Sequence, residues 1–341
     1  MQENRQNLPE KQKNPPRRAG AGEALAPLLA VLDLGTNNCR LLIARADGAD
    51  GFRVVDSFSR IVRLGEGVGA TGLLSEAAMD RTIAALQVCA QRIAKHQVRH
   101  VRAIATQAAR LAGNSDVLVA RARAEAGIEL FIISAGQEAD LAALGCAPLI
   151  GRRYKGGLIF DIGGGSTEII RLRRTPDGFE KLLSASLPFG VVTLSEEYGA
   201  KAQSRAGFEI MRAAMQARFA GLAGNGDVPF DPRAEHLLGT SGTVTTLAAI
   251  ALKLPRYNRA KVDASWYETS RMLGVMEKVS RLSVPALAKI GPVGPERADL
   301  MLAGSAIFGA ICQVWPSTML RVADRGLREG MLRQMSQELG A

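Results

Sequence analysis

The sequence predicts an α/β protein built from two related halves. Apolar, strand-like runs alternate with segments of helical periodicity along most of the 341 residues. One local pattern occurs twice. "LLAVLDLGTNNCRLLIARA" and "GGLIFDIGGGSTEIIRLRR" both read as apolar run, aspartate, glycine-containing polar turn and second strand. Their aspartates, Asp33 and Asp161, stand 161 − 33 = 128 residues apart, a domain-sized spacing that reads as an internal duplication. The length suffices for two ordinary cores.

Residues 1–24 are polar, proline-rich and basic, and are expected to form a disordered tail. The expected domains are residues 25–145 and 146–341, with the last helix packing back on the first domain. "LLAVLDLG" is a buried strand, "CRLLIARAD" the strand after a tight turn, and "FRVVDSFSRIVRL" extends the pattern. In "SEAAMDRTIAALQVCAQRIAKHQ", Met79, Ile83, Leu86, Ala90 and Ile93 share one helical face, with Ser75 as N-cap. "VRAIAT" is a strand, "DVLVARARAEAG" a helix, "IELFIIS" a strand and "GQEADLAALGCAPL" a helix. The second strand–turn–strand unit follows, then "KLLSASLPFGVVTLSEEYG" and a long polar helical stretch. "HLLGTSGTVTTLAAIAL" places a glycine-hydroxyl loop at a helix start, whose N-terminal partial charge favours an anion. "ERADLMLAGSAIFGAICQVW" is apolar all round and has to be buried. "MLRVADRGLREGMLRQM" closes as strand, turn and helix.

Composition narrows the function classes. Hydrophobic content of 47% and charged content of 22% suit a globular protein. No run reaches the roughly 18 apolar residues that a membrane helix needs. "RRAGAGEALAPLLAVLDLG" has the look of a twin-arginine leader, but Glu23 interrupts it and its apolar run leads straight into Asp33. A cytoplasmic location without membrane contact is expected. Net charge is +10; residues 1–18 supply five basic side chains against two acidic ones, +3, which leaves +7 for the rest. That excess favours a polyanionic partner. Aromatic content of 5% argues against base-stacking platforms, so no nucleic-acid partner is expected. Cys39, Cys89, Cys146 and Cys312 form no C-x-x-C pair, and a strand start separates His96 from His100, so neither supports a zinc site. "GVGATG" matches G-x-G-x-x-G without the following acidic ribose ligand and reads as a loop; no P-loop motif exists.

The chemistry points to the two glycine turns. Such a turn at a strand end exposes consecutive backbone N–H groups, an anion-binding arrangement, and three glycines in "DIGGGSTEI" imply that something comes close to bare backbone. A phosphoryl group is the expected visitor. Ser166 and Thr167 add hydroxyl donors, and Thr36 and Asn37 offer the same chemistry in the first turn. Asp161 and Glu168 are oxygen ligands of the kind a hard divalent cation prefers, and Asp33 holds the matching place in the first unit.

Seven motifs in order, "DLGTNNCRLLIA", "ATQAARLAGN", "ISAGQEADLAALG", "DIGGGSTEI", "LPFGVVTLSE", "GTSGTVTTLA" and "ERADLMLAGSAIF", resemble those of the exopolyphosphatase / guanosine pentaphosphate phosphatase (Ppx/GppA) family over about residues 28–335. The resemblance implies the short, two-domain form of an actin-like (ribonuclease H-like) α/β fold with an active site in the interdomain cleft. It implies Glu138 as catalytic base, Arg110 as a phosphate ligand, and Gly164, Gly165, Ser166 and Thr167 as one phosphate loop facing Thr36 and Asn37. Asp33, Asp161 and Glu168 become the metal-linked acids for Mg²⁺ or Mn²⁺, with a monovalent cation as a further candidate. A homodimer is expected. Gln137 and Asp140 depart from the family pattern, where Glu and Arg are common. The expected activity is metal-dependent release of orthophosphate from the end of inorganic polyphosphate. The alternatives are hydrolysis of the 5′ γ-phosphate of pppGpp, a non-catalytic pppGpp sensor, and an ATP-dependent kinase of the same superfamily. Arg152, Arg153, Lys155, Arg171, Arg173 and Arg174 beside the second turn, with Arg321, Arg325 and Arg328, are candidate cations for a polymer.

Overall fold

The structure, a computed structural model, describes residues 26–47, 51–223 and 229–340; the expected tail lies outside them. The first half runs β1 (Leu28–Leu34), β2 (Asn38–Asp47), β3 (Gly51–Ile61), α1 (Val68–Thr71), α2 (Glu76–Lys95), β4 (His100–Ala105), α3 (Gln107–Leu111), α4 (Ser115–Ala126), β5 (Leu130–Ile132) and α5 (Ala135–Cys146). The second runs β6 (Gly156–Ile162), β7 (Thr167–Thr175), β8 (Gly178–Leu187), α6 (Val191–Tyr198), α7 (Arg205–Ala223), β9 (Glu235–Thr240), α8 (Ser241–Ala251), α9 (Arg259–Val262), β10 (Ser265–Glu268), α10 (Thr269–Val279), α11 (Val284–Ala288), α12 (Met301–Val314), β11 (Met319–Val322) and α13 (Leu327–Glu338).

The duplication seen in the sequence is a duplication of sheets. One sheet has the order β3-β2-β1-β4-β5; the other, read in the same sense, is β8-β7-β6-β9-β11 with β10 added at its edge. In each, the aspartate-bearing strand pairs antiparallel with the next strand and parallel with the strand after the intervening helix. β1 and β6 are covered on both faces, which is why they read as continuous apolar runs.

The faces are covered by exchange. α13, the last helix, lies on the first sheet, where Met331, Leu332 and Met335 join Leu29, Val31, Leu42 and Ile104. α5 does the reverse: Ala139, Ala142 and Cys146 pack on Ile159, Ile170 and Leu238 of the second sheet. The expected division after residue 145 therefore falls after a helix whose packing belongs to the second sheet. α12 is buried at every position from Met301 to Cys312, because sheet, α7 and α10 surround it. "GVGATG" differs from the expected loop: α1 makes one helical turn there, bounded by Gly67 and Gly72 in the left-handed region. No helix of the described residues is long and apolar enough to cross a membrane.

One buried group makes stability pH-dependent. His236 is fully buried on β9, its Nε2 accepting from the Gly151 N–H at 3.1 Å and its Nδ1 lying 2.8 Å from the Leu237 carbonyl. Burial pushes its pKa down to about 4, and the nearby charges of Arg321 and Arg153 push the same way. The unfolded chain thus binds a proton that the native state refuses between pH 6.5 and about 4, so this residue's contribution is lost as pH falls through that window. The 2.5-unit difference corresponds to about 3 kcal/mol. The buried acids described below act in the opposite sense, so the test is a difference. Between pH 7 and 4.5 the wild type is expected to lose more thermal stability than His236→Gln; parallel curves for the two would refute this.

Candidate active site

Both aspartates reach the same space. Asp33 on β1 and Asp161 on β6 line one cleft of about 610 Å³ between the sheets, together with Glu138 and Glu168. The register explains the placement. Asp33 is paired with Arg40 and Asp161 with Glu168, so each turn projects from a strand end with its acid at the base. Thr36, Asn37, Gly164, Gly165 and Ser166 also line the cleft. The carbonyls of Gly163 and Gly164 accept from Val191 and Val192 at the start of α6, at 2.9 and 2.8 Å. Among the described residues the N–H groups of Gly164, Gly165 and Ser166 meet no protein acceptor.

The glycines also have a close neighbour within the protein. A Cβ on Gly164 would lie 3.0 Å from Thr36 Cβ and 3.2 Å from the Asn37 nitrogen, and one on Gly165 would lie 2.7 Å from Thr36 Oγ1. One on Gly163 would lie 2.9 Å from the Ser166 carbonyl oxygen. Gly164 and Gly165 are small because the two turns touch each other across the cleft, and none of the three has a positive φ. Further along, Arg63 pairs with Asp299 at 3.1 Å and the Gly67 N–H donates to Glu196 at 3.1 Å, so first-half loops are fastened to the second half.

Two expected phosphate ligands stand elsewhere. The Thr167 hydroxyl is buried and donates to the Phe189 carbonyl at 2.7 Å, outside the cleft. Arg110 does not line the cleft: its guanidinium donates to the Ile133 carbonyl at 2.9 Å, to Gln107, and to Glu138 at 3.0 Å. It holds Glu138 in place. The departures from the family pattern also have local partners, since Gln137 completes a capping box with Ser134 at the start of α5 and Asp140 pairs with Lys181.

Burial raises the pKa values of all four acids, and mutual repulsion adds to it at Glu138, Asp161 and Glu168. Burial pushes Glu138 up to about 7, against the attraction of Arg110 and with added repulsion from Asp33 and Asp161. Burial brings Asp161 to about 6, opposed by Arg40 and by a hydroxyl hydrogen bond from Ser241. Glu168 rises to about 8 through burial and the charges of Glu138 and Asp161, although the hydroxyls of Ser166 and Ser186 bond to it. Asp33 is raised by burial against Arg40 and Arg328. Such a concentration of strained carboxylates, beside the unpartnered buried oxygens Thr36 Oγ1, Asn37 Oδ1 and Asn38 Oδ1, suits a hard cation. Among the described residues no three of His, Cys, Asp and Glu form a protein-only cage.

The basic residues of the cleft are mostly ones the sequence did not single out. Arg40, Arg297 and Arg328 line it without an ion pair among the described residues, and Arg259 and Arg325 line it while paired to Glu329 and Asp263. Of the nine expected polymer cations only Arg325 and Arg328 are there. Arg171 is buried against Glu235, and Arg173 pairs with Glu180. Ser241 was also missed; it opens α8 at φ 74°, a left-handed conformation that costs a non-glycine residue about 1 kcal/mol.

Known proteins share this architecture. The sequence profile of the Ppx/GppA phosphatase family matches residues 42–339. Exopolyphosphatase 2 of Mycobacterium tuberculosis is 32% identical over 287 residues, which is 82% of this chain and 88% of that one. The guanosine-5'-triphosphate,3'-diphosphate pyrophosphatase of Photobacterium profundum is 30% identical over 328 residues; the alignment covers 92% of this chain but 60% of that longer protein. The crystal structure of the Ppx/GppA family member from Aquifex aeolicus matches with a TM-score of 0.75 at 26% identity, covering 92% of this chain and 99% of that one. The match over most of the chain in sequence and in fold makes it a pair of actin-like domains, and the chain belongs to the Ppx/GppA phosphatase family.

Proposed function

We propose that the protein is an exopolyphosphatase, a hydrolase that releases orthophosphate from the terminal phosphoanhydride of inorganic polyphosphate. The observation that carries this reading is the meeting of three chemistries in one cleft: free N–H groups on the Gly164–Ser166 turn, a carboxylate at Glu138 held by Arg110, and the unpaired Arg40, Arg297 and Arg328. Phosphoryl transfer to water asks for little else, because its transition state needs positioning and charge stabilisation more than covalent help. The N–H groups and the Ser166 hydroxyl cradle the terminal phosphoryl oxygens, with Thr36 and Asn37 opposite. Glu138 accepts a proton from the attacking water and aligns it with phosphorus. Arg110 acts through Glu138. A divalent cation, Mg²⁺ or Mn²⁺, would be held by oxygens of Asp33, Asp161 and Glu168, and supplies charge neutralisation on the phosphate.

Hydrolysis of pppGpp is the second reading, favoured by the likeness to the Photobacterium profundum protein and by a cleft that Tyr257, Pro292 and Arg297 also line. Offering long-chain polyphosphate and pppGpp separately, with orthophosphate release as readout, decides between them. Faster turnover of pppGpp would displace the polyphosphate reading; release from neither would end both.

The three unpaired arginines give a separate expectation. Burial and the charge of Arg40 lower the Arg297 pKa, and burial and Arg40 do the same at Arg328. Buried like charges that nearby acids only partly offset relax when an anion enters. Arg297→Ala is expected to raise KM about tenfold, the loss of one charge-assisted hydrogen bond, while the melting temperature holds or rises. A lowered melting temperature with unchanged KM would make Arg297 a structural residue.

A further inference from the structure

Five cations crowd the end of the second sheet opposite the acids, and none has a carboxylate partner among the described residues. The turn before β6 carries Arg152, Arg153 and Lys155, all exposed. Two further guanidiniums sit on consecutive carbonyls of the same segment: Arg321 donates to Leu149 at 2.6 Å and Arg174 to Ile150 at 2.9 Å. Arg153 and Arg321 both lie over the Trp266 ring, 6.0 and 5.1 Å from its centroid, and Arg153 also covers Tyr154 at 4.9 Å. Tyr154 and Trp266 stack at 5.8 Å, with His236 4.7 Å from each. The neighbouring Arg171 and Arg173 show what the fold does with an arginine it needs only structurally, since Glu235 and Glu180 match them.

We propose that this aromatic-backed basic turn is a second binding site for a linear phosphate polymer, holding a distal stretch of the chain whose end lies in the cleft. The inference rests on the polyphosphate reading for its ligand. Strand β6 separates the two places: Gly156 at its start and Asp161 near its end are five residues apart, about 17 Å at roughly 3.3 Å per residue. Tripolyphosphate engages the cleft only; a long chain engages both, and tethering at the turn raises the effective concentration of its end at the catalytic acids. The guanidiniums of Arg153 and Arg321 cover the aromatic faces that bases would need. This favours a polymer of bare phosphates over a nucleic acid.

The test uses the full chain with Arg152→Ser, Arg153→Ser and Lys155→Ser combined, and Lys155→Glu alone as a second variant with less effect on packing. Fluorescence anisotropy with end-labelled long-chain polyphosphate is read over a salt series, alongside hydrolysis of tripolyphosphate. The triple variant is expected to bind the long chain at least tenfold more weakly, with a salt slope smaller by about three, one for each lost contact. Tripolyphosphate hydrolysis is expected to stay at the wild-type rate, and Lys155→Glu to weaken long-chain binding in the same direction. Wild-type affinity and slope in both variants would overturn the proposal. So would a loss confined to a single-stranded oligonucleotide of matching charge, which would assign the turn to nucleic acid. If the wild type hydrolyses no phosphate compound, the activity proposed above fails, while the anisotropy still decides whether the turn binds the polymer.

Discussion

Glu138→Gln is expected to slow orthophosphate release by about 10²–10⁴-fold, the contribution of a positioned general base, with KM little changed. The substitution keeps size and leaves an oxygen for Arg110, which donates to the Glu138 carboxylate at 3.0 Å, but it removes the proton acceptor. The capping box between Ser134 and Gln137 fixes the first turn of α5 without any contribution from Glu138, so the backbone has no reason to move. Activity within tenfold of wild type would remove Glu138 from the mechanism. The pKa of about 7 gives a second readout. The working form is the carboxylate, so kcat/KM is expected to rise with pH through about 7. Arg110 lowers that pKa by its charge and its hydrogen bond, against burial and the repulsion of Asp33 and Asp161. Arg110→Met therefore moves the rising limb to higher pH. A loss of rate with the limb unmoved would make Arg110 a scaffold residue.

Much of the architecture was legible because it is written in local pattern. β1 and β6 are apolar runs of seven residues ended by a turn, and repetition of that unit announced two related sheets. Glu138 was reachable only through the resemblance, since at the start of a helix it is otherwise an ordinary capping-turn acid. What stayed hidden depends on contacts far apart in sequence. Thr167 looks like a phosphate-loop hydroxyl, yet strand geometry turns it to Phe189, while its neighbour Glu168 faces the acids. Arg40 and Arg297 are separated by most of the chain and become neighbours only when the sheets close on one cleft. The glycines of the second turn suggested a ligand against the backbone; the other turn also comes close to them, and no local pattern carries the distance between two turns.

Gly330→Ala is expected to cost about 3 kcal/mol, the upper end for overpacking, and to damage catalysis beyond that loss. A Cβ there would stand 1.9 Å from the Leu141 carbonyl oxygen and 2.7 Å from its carbon. Both are backbone atoms of α5, so no side chain can yield. Gly145 on the other helix is equally close, 2.0 Å from the Gly326 oxygen and 2.9 Å from the Gly330 nitrogen. These two glycines set the approach of α5 and α13, the helices that the two halves exchange. The first turn of α5 carries Glu138, the proposed base, and the first turn of α13 presents Arg328 and Glu329 to the cleft. Forcing the helices apart therefore shifts the base and a cation together, and misplacement by about 1 Å is enough to cost around 10²-fold in rate. Gly274→Ala on α10 serves as the control, because its Cβ meets nothing within 4 Å and its φ is ordinary. That change is expected to stabilise by about 0.5–1 kcal/mol, with full activity. Chemical denaturation and kcat at a temperature where both variants are folded separate the two effects. If Gly330→Ala keeps wild-type stability and rate, the close α5–α13 contact does not govern the position of Glu138.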